Sequence, residues 1–193
     1  METPIGLQTL EQVLADLKAK NSLSFEEICD LLFTFHMKDF EELYQISALE
    51  VSPESCIRIP VLQGEFFAAL KIWGVNYCSA IRDHVNYDTK IKVLKGSLTE
   101  IRYRENDNFI EYDSRATAGV DDILVEKTTD INSIINNSDD ISVSIHVYRT
   151  PKFRLENVRI FDTEQRRIAH LSASATLCSW KMPESNFKKI TQI

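Results

Sequence analysis

Nowhere in the chain do two cysteines stand as C-x-x-C. That absence speaks against a zinc knuckle or a dithiol redox motif. The four cysteines, Cys29, Cys56, Cys78 and Cys178, lie far apart in 193 residues. They read as reduced, buried small residues. An excess of basic residues is also missing. Lys and Arg number 22 against 29 Asp and Glu, a formal net charge of −7. A nucleic-acid surface needs a basic patch, so no nucleic-acid partner is expected. No apolar run is long enough to span a bilayer, and no membrane partner is expected. The opening METPIGLQTLEQVLADLKAK lacks a charged n-region followed by a continuous apolar stretch, so no signal peptide is expected. Internal repeats and low-complexity tracts are absent as well. These absences predict a soluble, cytoplasmic protein.

What remains is an apolar content of 44 %, ordinary for a globular chain and enough at this length for one domain with a sizeable core. Leu7, Leu10, Leu14 and Leu17 recur at helical spacing and make one apolar stripe. Ser24 with Glu27 is a capping-box pattern, followed by a second stripe of Ile28, Leu31, Leu32 and Phe35. A third short helix carries Phe40, Leu43 and Tyr44. After Pro53 the texture turns to short β-rich runs: CIRIPVL, FFAALKIW, IKVLKG, LTEIRY, NFIEYD, DILVE, SVSIHVYRT, NVRIFD and ATLCSW. Turn signals such as KGS and RENDN separate them. The reading is α+β, mainly β. A single domain over 1–193 comprises a helical cap over 1–50 and a β-barrel over 51–193. The polar stretch EKTTDINSIINNSDD reads as a loop over the barrel mouth. Trp73 and Trp180 read as core or barrel-edge aromatics. His36 and His170 have no motif around them, and His36 is expected to pack or cap a helix.

One run places chemistry by periodicity alone. In SVSIHVY, Ser144, His146 and Tyr148 alternate with Val143, Ile145 and Val147. Alternate strand residues share a face, so the three polar groups can form a hydroxyl–imidazole–phenol row over an apolar opposite face. An imidazole between two hydroxyl groups can fix the orientation of the tyrosine. A polar row on a strand's wet face gives the same alternation.

Five segments in order, CIRIPV with Arg58, LKIWGVNYCSAIRDH, VLKGSLTEIRY, INSIINNSDD and VSIHVYRTP, cover about residues 50 to 165. Together they resemble the cysteine dioxygenase family of thiol dioxygenases, which are cupin β-barrels. The resemblance implies a jelly-roll barrel of roughly six to eight strands with a site in its mouth. In that family three histidines hold Fe(II), two from an H-x-H and one from a later H-x-x-x-N. Here the first falls on Arg82, the second on His84 and the third on Asn132, with Asn136 after it. The place of the family's thioether-forming cysteine is Thr89. Arg58 matches the arginine that pairs with the substrate carboxylate, and Cys56 stands for the family's nearby tyrosine. Ser144, His146 and Tyr148 match a relay that sets the tyrosine hydroxyl in the substrate pocket.

The chemistry of these changes runs one way. A ligand must offer a lone pair, and guanidinium has none to give. An amide oxygen suits hard ions rather than a site built for imidazole. The first expectation is therefore a cysteine-dioxygenase-like cupin without ordinary Fe(II), and without a cofactor. It binds or transforms a small anionic amino or thiol acid. Arg58 and Arg82 converge on the anion and Tyr148 donates a hydrogen bond. Counter-charge comes from the ligand, or from Asp83 or Asp88. The second expectation is an active thiol dioxygenase that converts a thiol to a sulfinate with molecular oxygen. It would use a rearranged metal site around His84, Asp88 or Asp130. The third is a structural or protein-interaction barrel. A monomer is expected in each case.

Overall fold

A computed structural model describes residues 8–19 and 23–193. Leu7, at the head of the first expected stripe, lies outside them. Helix α1 (Leu10–Ala19) buries Leu10, Val13, Leu14 and Leu17, the i, i+3, i+4, i+7 set of one face. Helix α2 (Phe25–Leu32) starts at the expected capping box. The Glu27 amide donates to Ser24 Oγ at 3.3 Å, and the Ser24 amide donates to Glu27 Oε2 at 2.8 Å. Helix α3 (Met37–Tyr44) buries Phe40 and is capped by His36, whose amide donates to Asp39 Oδ2 at 2.8 Å. No helix among the described residues is long and apolar enough to cross a membrane.

Twelve strands follow: β1 (Cys56–Gln63), β2 (Phe67–Trp73), β3 (Ile81–Asp83), β4 (Thr89–Lys95), β5 (Leu98–Asn106) and β6 (Phe109–Ala118). The rest are β7 (Ile123–Glu126), β8 (Ile131–Ile135), β9 (Ser142–Tyr148), β10 (Arg159–Asp162), β11 (Arg167–Leu171) and β12 (Phe187–Gln192). They form two antiparallel sheets, a five-stranded one ordered β1-β2-β9-β4-β7 and a seven-stranded one ordered β12-β11-β10-β3-β8-β5-β6. This is the expected mainly-β architecture, two antiparallel sheets facing each other, with more strands than the six to eight anticipated.

The helices lie on the outer face of the five-stranded sheet. Their buried stripes pack with Leu70, Ile72, Val143, Ile145 and Val147 in one cluster. The opposite face of the same sheet packs against the other sheet through Trp73, Ile91, Val93, Leu98, Ala118 and Ile134. Strand alternation thus turns Ser144, His146 and Tyr148 inward, as their spacing predicts. Register completes the arrangement. Phe67, Tyr148, Thr89 and Glu126 form one row across β2, β9, β4 and β7, and Lys71 and Ser144 are partners in the next row but one.

Two expectations are corrected. The polar stretch around Asn132 is not a loop. Its centre is β8, in the interior of the seven-stranded sheet, with Ile131, Asn132, Ser133 and Ile134 all buried. Its polar groups are affordable there because they find partners inside the barrel. ATLCSW is not a strand: residues 175–180 form irregular backbone and turns between β11 and β12. All four cysteines are free thiols, but only Cys29 is fully buried, and Cys78 is exposed.

Asn136 ties the sheets together at the turn after β8. Its Nδ2 donates to the backbone oxygens of Trp73, Gly74 and Asp140 at 2.9–3.0 Å, and its Oδ1 accepts from Ser142 Oγ at 3.0 Å. Gly96 closes the neighbouring β4–β5 turn at φ +73°, and a Cβ there would overlap Ser142. Ser142 opens the strand that carries the polar row. Replacing Asn136 with Ala strands several buried carbonyls. The expected loss is on the order of 3 kcal/mol in urea unfolding; a loss under about 0.5 kcal/mol would contradict this role.

Candidate functional site

A cavity of about 250 Å³ opens between the sheets. Arg58, Lys71, Arg82, His84, Glu126 and Tyr148 contribute to its wall. Four of these are expected site residues. Lys71 and Glu126 were not foreseen. The signal for Lys71 was present: it shares the inward face with Phe67, Ala69 and Trp73 in an otherwise apolar strand. Glu126 carried no such signal, because its strand belongs to the opposite sheet from Arg82 and is short. Thr176, Leu177 and Cys178, from the irregular segment before β12, also reach the cavity, as does Cys56.

Arg82 does not pair with Asp83 or Asp88. Consecutive strand residues face opposite sides, and Asp83 instead accepts from the Arg159 amide at 2.8 Å and from its Nε at 2.5 Å. Asp88 accepts from the Thr128 amide at 3.0 Å and faces Arg149 at 3.8 Å. Asp130 accepts from the Lys127 amide at 2.8 Å. Neither Asp88 nor Asp130 lines the cavity. The partner of Arg82 is Glu126. Arg82 Nη2 donates to Glu126 Oε1 at 3.3 Å and Nη1 donates to Ser79 Oγ at 2.9 Å.

The same carboxylate anchors the residues at the other two expected ligand positions. Asn132 Nδ2 donates to Glu126 Oε1 at 3.0 Å and to Glu100 Oε1 at 2.6 Å. Two carboxylates accept only, so they fix which end of the amide is nitrogen. Asn132 Oδ1 must then face His84, and it lies 3.1 Å from His84 Nε2. An amide oxygen also only accepts, so the hydrogen of this bond sits on Nε2. His84 Nε2 lies 3.5 Å from Glu126 Oε1 too. Burial pushes the Glu126 carboxyl up, but the charges of His84, Arg82 and Lys71, with the Asn132 bond, outweigh it and hold the group below the ordinary carboxylate value.

The polar row on β9 is present in part. Ser144 Oγ lies 2.9 Å from His146 Nε2 and accepts from Trp73 Nε1 at 2.8 Å. Trp73 is thus a core residue that also holds the first member of the row. The row stops at His146. Its ring stacks beside that of Tyr148 at a centroid distance of 5.9 Å, and His146 Nδ1 and Tyr148 Oη are both buried without a partner. Tyr148 is held by Phe67, Tyr87 and Phe153 rather than by the imidazole. Burial first, then Lys71, Arg82 and His84, press the His146 pKa well below its usual value, so the ring is neutral. Burial likewise raises the Tyr148 phenol well above its usual value, so it stays a hydrogen-bond donor.

Among the described residues, two cations in the wall have no carboxylate within 4.0 Å. Arg58 rests on Phe153, 4.0 Å from the ring centroid, and Lys71 Nζ lies 5.2 Å over Trp73. Burial, then the charge of Arg82, lowers the Lys71 pKa.

Comparison with known proteins gives the following. Residues 2–164 match the family model described as cysteine dioxygenase type I. No curated protein matches the chain. Among solved structures, a Thermus thermophilus protein aligns at 16 % identity over 55 % of this chain and 93 % of its own, with a TM-score of 0.45. A cupin-superfamily sugar phosphate isomerase of Silicibacter pomeroyi aligns at 12 % identity over 76 % of this chain and 90 % of its own, TM-score 0.47. A cupin-superfamily protein of Desulfitobacterium hafniense aligns at 14 % identity over 53 % and 84 %, TM-score 0.42. At these scores the family assignment rests on the sequence match.

Glu126 supplies the prediction of this site. Its carboxyl is held below the ordinary value, so its stabilising contribution is full above the unfolded value of about 4.3 and is lost as pH falls through the lowered native value. In Glu126→Gln, Arg82 keeps a polar neighbour but no counter-charge. The expected cost is about 3 kcal/mol at pH 7. The urea-unfolding curves of variant and wild type should converge as the pH falls through the carboxylate range. A constant gap at all pH values would contradict the pairing.

Proposed function

The chain belongs to the cysteine dioxygenase type I family, and from that premise we propose that it is a cupin that binds, or transforms, a small anionic amino or thiol acid without ordinary Fe(II). The observation that carries this reading is the Arg82–Glu126 pair beside His84. A three-histidine ferrous site needs three imidazole lone pairs. Here the three positions offer a guanidinium, an imidazole nitrogen bearing hydrogen and an amide whose oxygen accepts that hydrogen. This donor set does not fit the ion. A tethered cation stands where a diffusible one would bind.

The same residues suit an anion. Arg58 presents a planar fork to a carboxylate at the cavity rim. Arg82, neutralised by Glu126, adds only a local dipole deeper in the cavity, and the Tyr148 hydroxyl, without a partner among the described residues, donates a further bond. If the ligand reacts, Tyr148 is the group placed to hold or donate a proton at it. Ser144 and His146 lie behind Tyr148 and set its surroundings. The reading includes a soluble, cytoplasmic, monomeric protein with no nucleic-acid or membrane partner, in keeping with the charge and the apolar pattern.

Protein purified from iron-supplemented cells should carry iron far below one ion per chain by elemental analysis. Near-stoichiometric iron would overturn the proposal in favour of an active thiol dioxygenase that yields a sulfinate. A thermal-shift screen with cysteine, 3-mercaptopropionate, cysteine sulfinate and simple carboxylates should raise the midpoint for at least one compound. Arg58→Met should remove that shift. No response to any of them would leave a structural or protein-interaction barrel.

A further inference from the structure

We infer that the ligand of this cavity carries two anionic groups at opposite ends of a short chain, one held by Arg58 and the other by Lys71. The inference rests on the anion-binding reading above and extends it. Its basis is the charge pattern of the wall. The lining cations are Arg58, Lys71 and Arg82, and the lining carboxylates are Asp83 and Glu126. Asp83 is taken by Arg159 and Glu126 by Arg82. Among the described residues, Arg58 and Lys71 have no carboxylate within 4.0 Å. Two positive charges are left without an internal partner.

Register sharpens the point. Arg58 on β1 and Lys71 on β2 are direct cross-strand partners. Like charges directly opposite each other destabilise a sheet, and burial of Lys71 adds a desolvation cost. The two heads separate along the strands. Arg58 lies over Phe153, which packs on Phe67 at the start of β2, while Lys71 lies over Trp73 at its end. The two heads thus rest on different aromatic faces, and a molecule with an acid group at each end meets both. Tyr148 Oη, buried and without a partner, lies toward the Arg58 end, since its ring packs on Phe153 and Phe67. The chemical class is a short dicarboxylate or a carboxylate with a sulfinate at the far end.

The test compares malonate, succinate, glutarate and cysteine sulfinate with propionate and butyrate at constant ionic strength, by calorimetry or thermal shift. At least one two-headed acid should bind about tenfold or more tightly than the one-headed acids, the size of a charged hydrogen bond. Lys71→Met should abolish that preference, weakening the two-headed acids about tenfold or more and the one-headed acids far less. Lys71→Arg should retain it. Lys71→Met removes an unpaired like charge and should fold at least as well as wild type, which near-ultraviolet circular dichroism checks. If two-headed and one-headed acids bind alike, or Lys71→Met keeps the preference, the inference fails while the anion pocket stands. If none of these acids binds, both fall together.

Discussion

A guanidinium and a carboxylate 3.3 Å apart, with side chains only 11 % and 2 % exposed, govern what this cavity can hold. Removing both charges from water is costly, and their attraction repays that cost only when the remaining hydrogen-bond capacity is filled. Here it is filled. Ser79 takes one arm of Arg82, and Asn132 donates to Glu126. The consequences spread outward by hydrogen-bond logic alone. Glu126 and Glu100 fix the Asn132 amide, the amide places a hydrogen on His84 Nε2, and the imidazole is thereby occupied at the atom that faces the group. A local ion pair sets the state of every residue at the three positions where the family resemblance puts metal ligands.

Much of the framework was legible in sequence because it rests on short-range rules. The capping box at Ser24, the stripe on α1 and the alternation on β9 each depend on spacings within one element, and each is present in the fold. What escaped depends on long-range partners. INSII has polar residues where an interior strand usually has apolar ones, and Asn132 is tolerable there because Glu100, Glu126 and His84, the first and last of them 32 and 48 residues away, meet its amide. ATLCSW has strand composition, but residues 175–180 form irregular backbone and turns whose side chains reach the cavity at Thr176, Leu177 and Cys178. Glu126 looked like one acid in a polar stretch, and its meaning comes from facing Arg82 across 44 residues. The charge partner of Arg82 was sought among neighbours in sequence, whereas alternation sends neighbours to the opposite face of the strand.

The family and the fold therefore say less about chemistry than the side chains do. The framework keeps its two sheets, its inward polar row and its mouth. Yet the row gives no charge to the cavity. His146 is neutral, Tyr148 keeps its proton, and the hydrogen-bond chain runs from Trp73 through Ser144 and ends at the imidazole. This side of the cavity supplies shape and one donor.

Selection by charge then falls to the other walls, and there the count is uneven. Arg82 is neutralised by Glu126, so it contributes a local dipole more than a free charge. Arg58, which is exposed, and Lys71, which is half-buried, keep theirs, each resting on an aromatic face whose quadrupole in the case of Lys71 offsets a small part of the desolvation. A cation–π contact of this kind is worth about 0.5–2 kcal/mol, less than a buried ammonium loses on leaving water. The aromatic faces hold the two heads in place without satisfying them. That imbalance is the ground of the proposed anionic occupant, and on that proposal recognition falls to Arg58 and Lys71 rather than to the three positions where the family resemblance puts metal ligands.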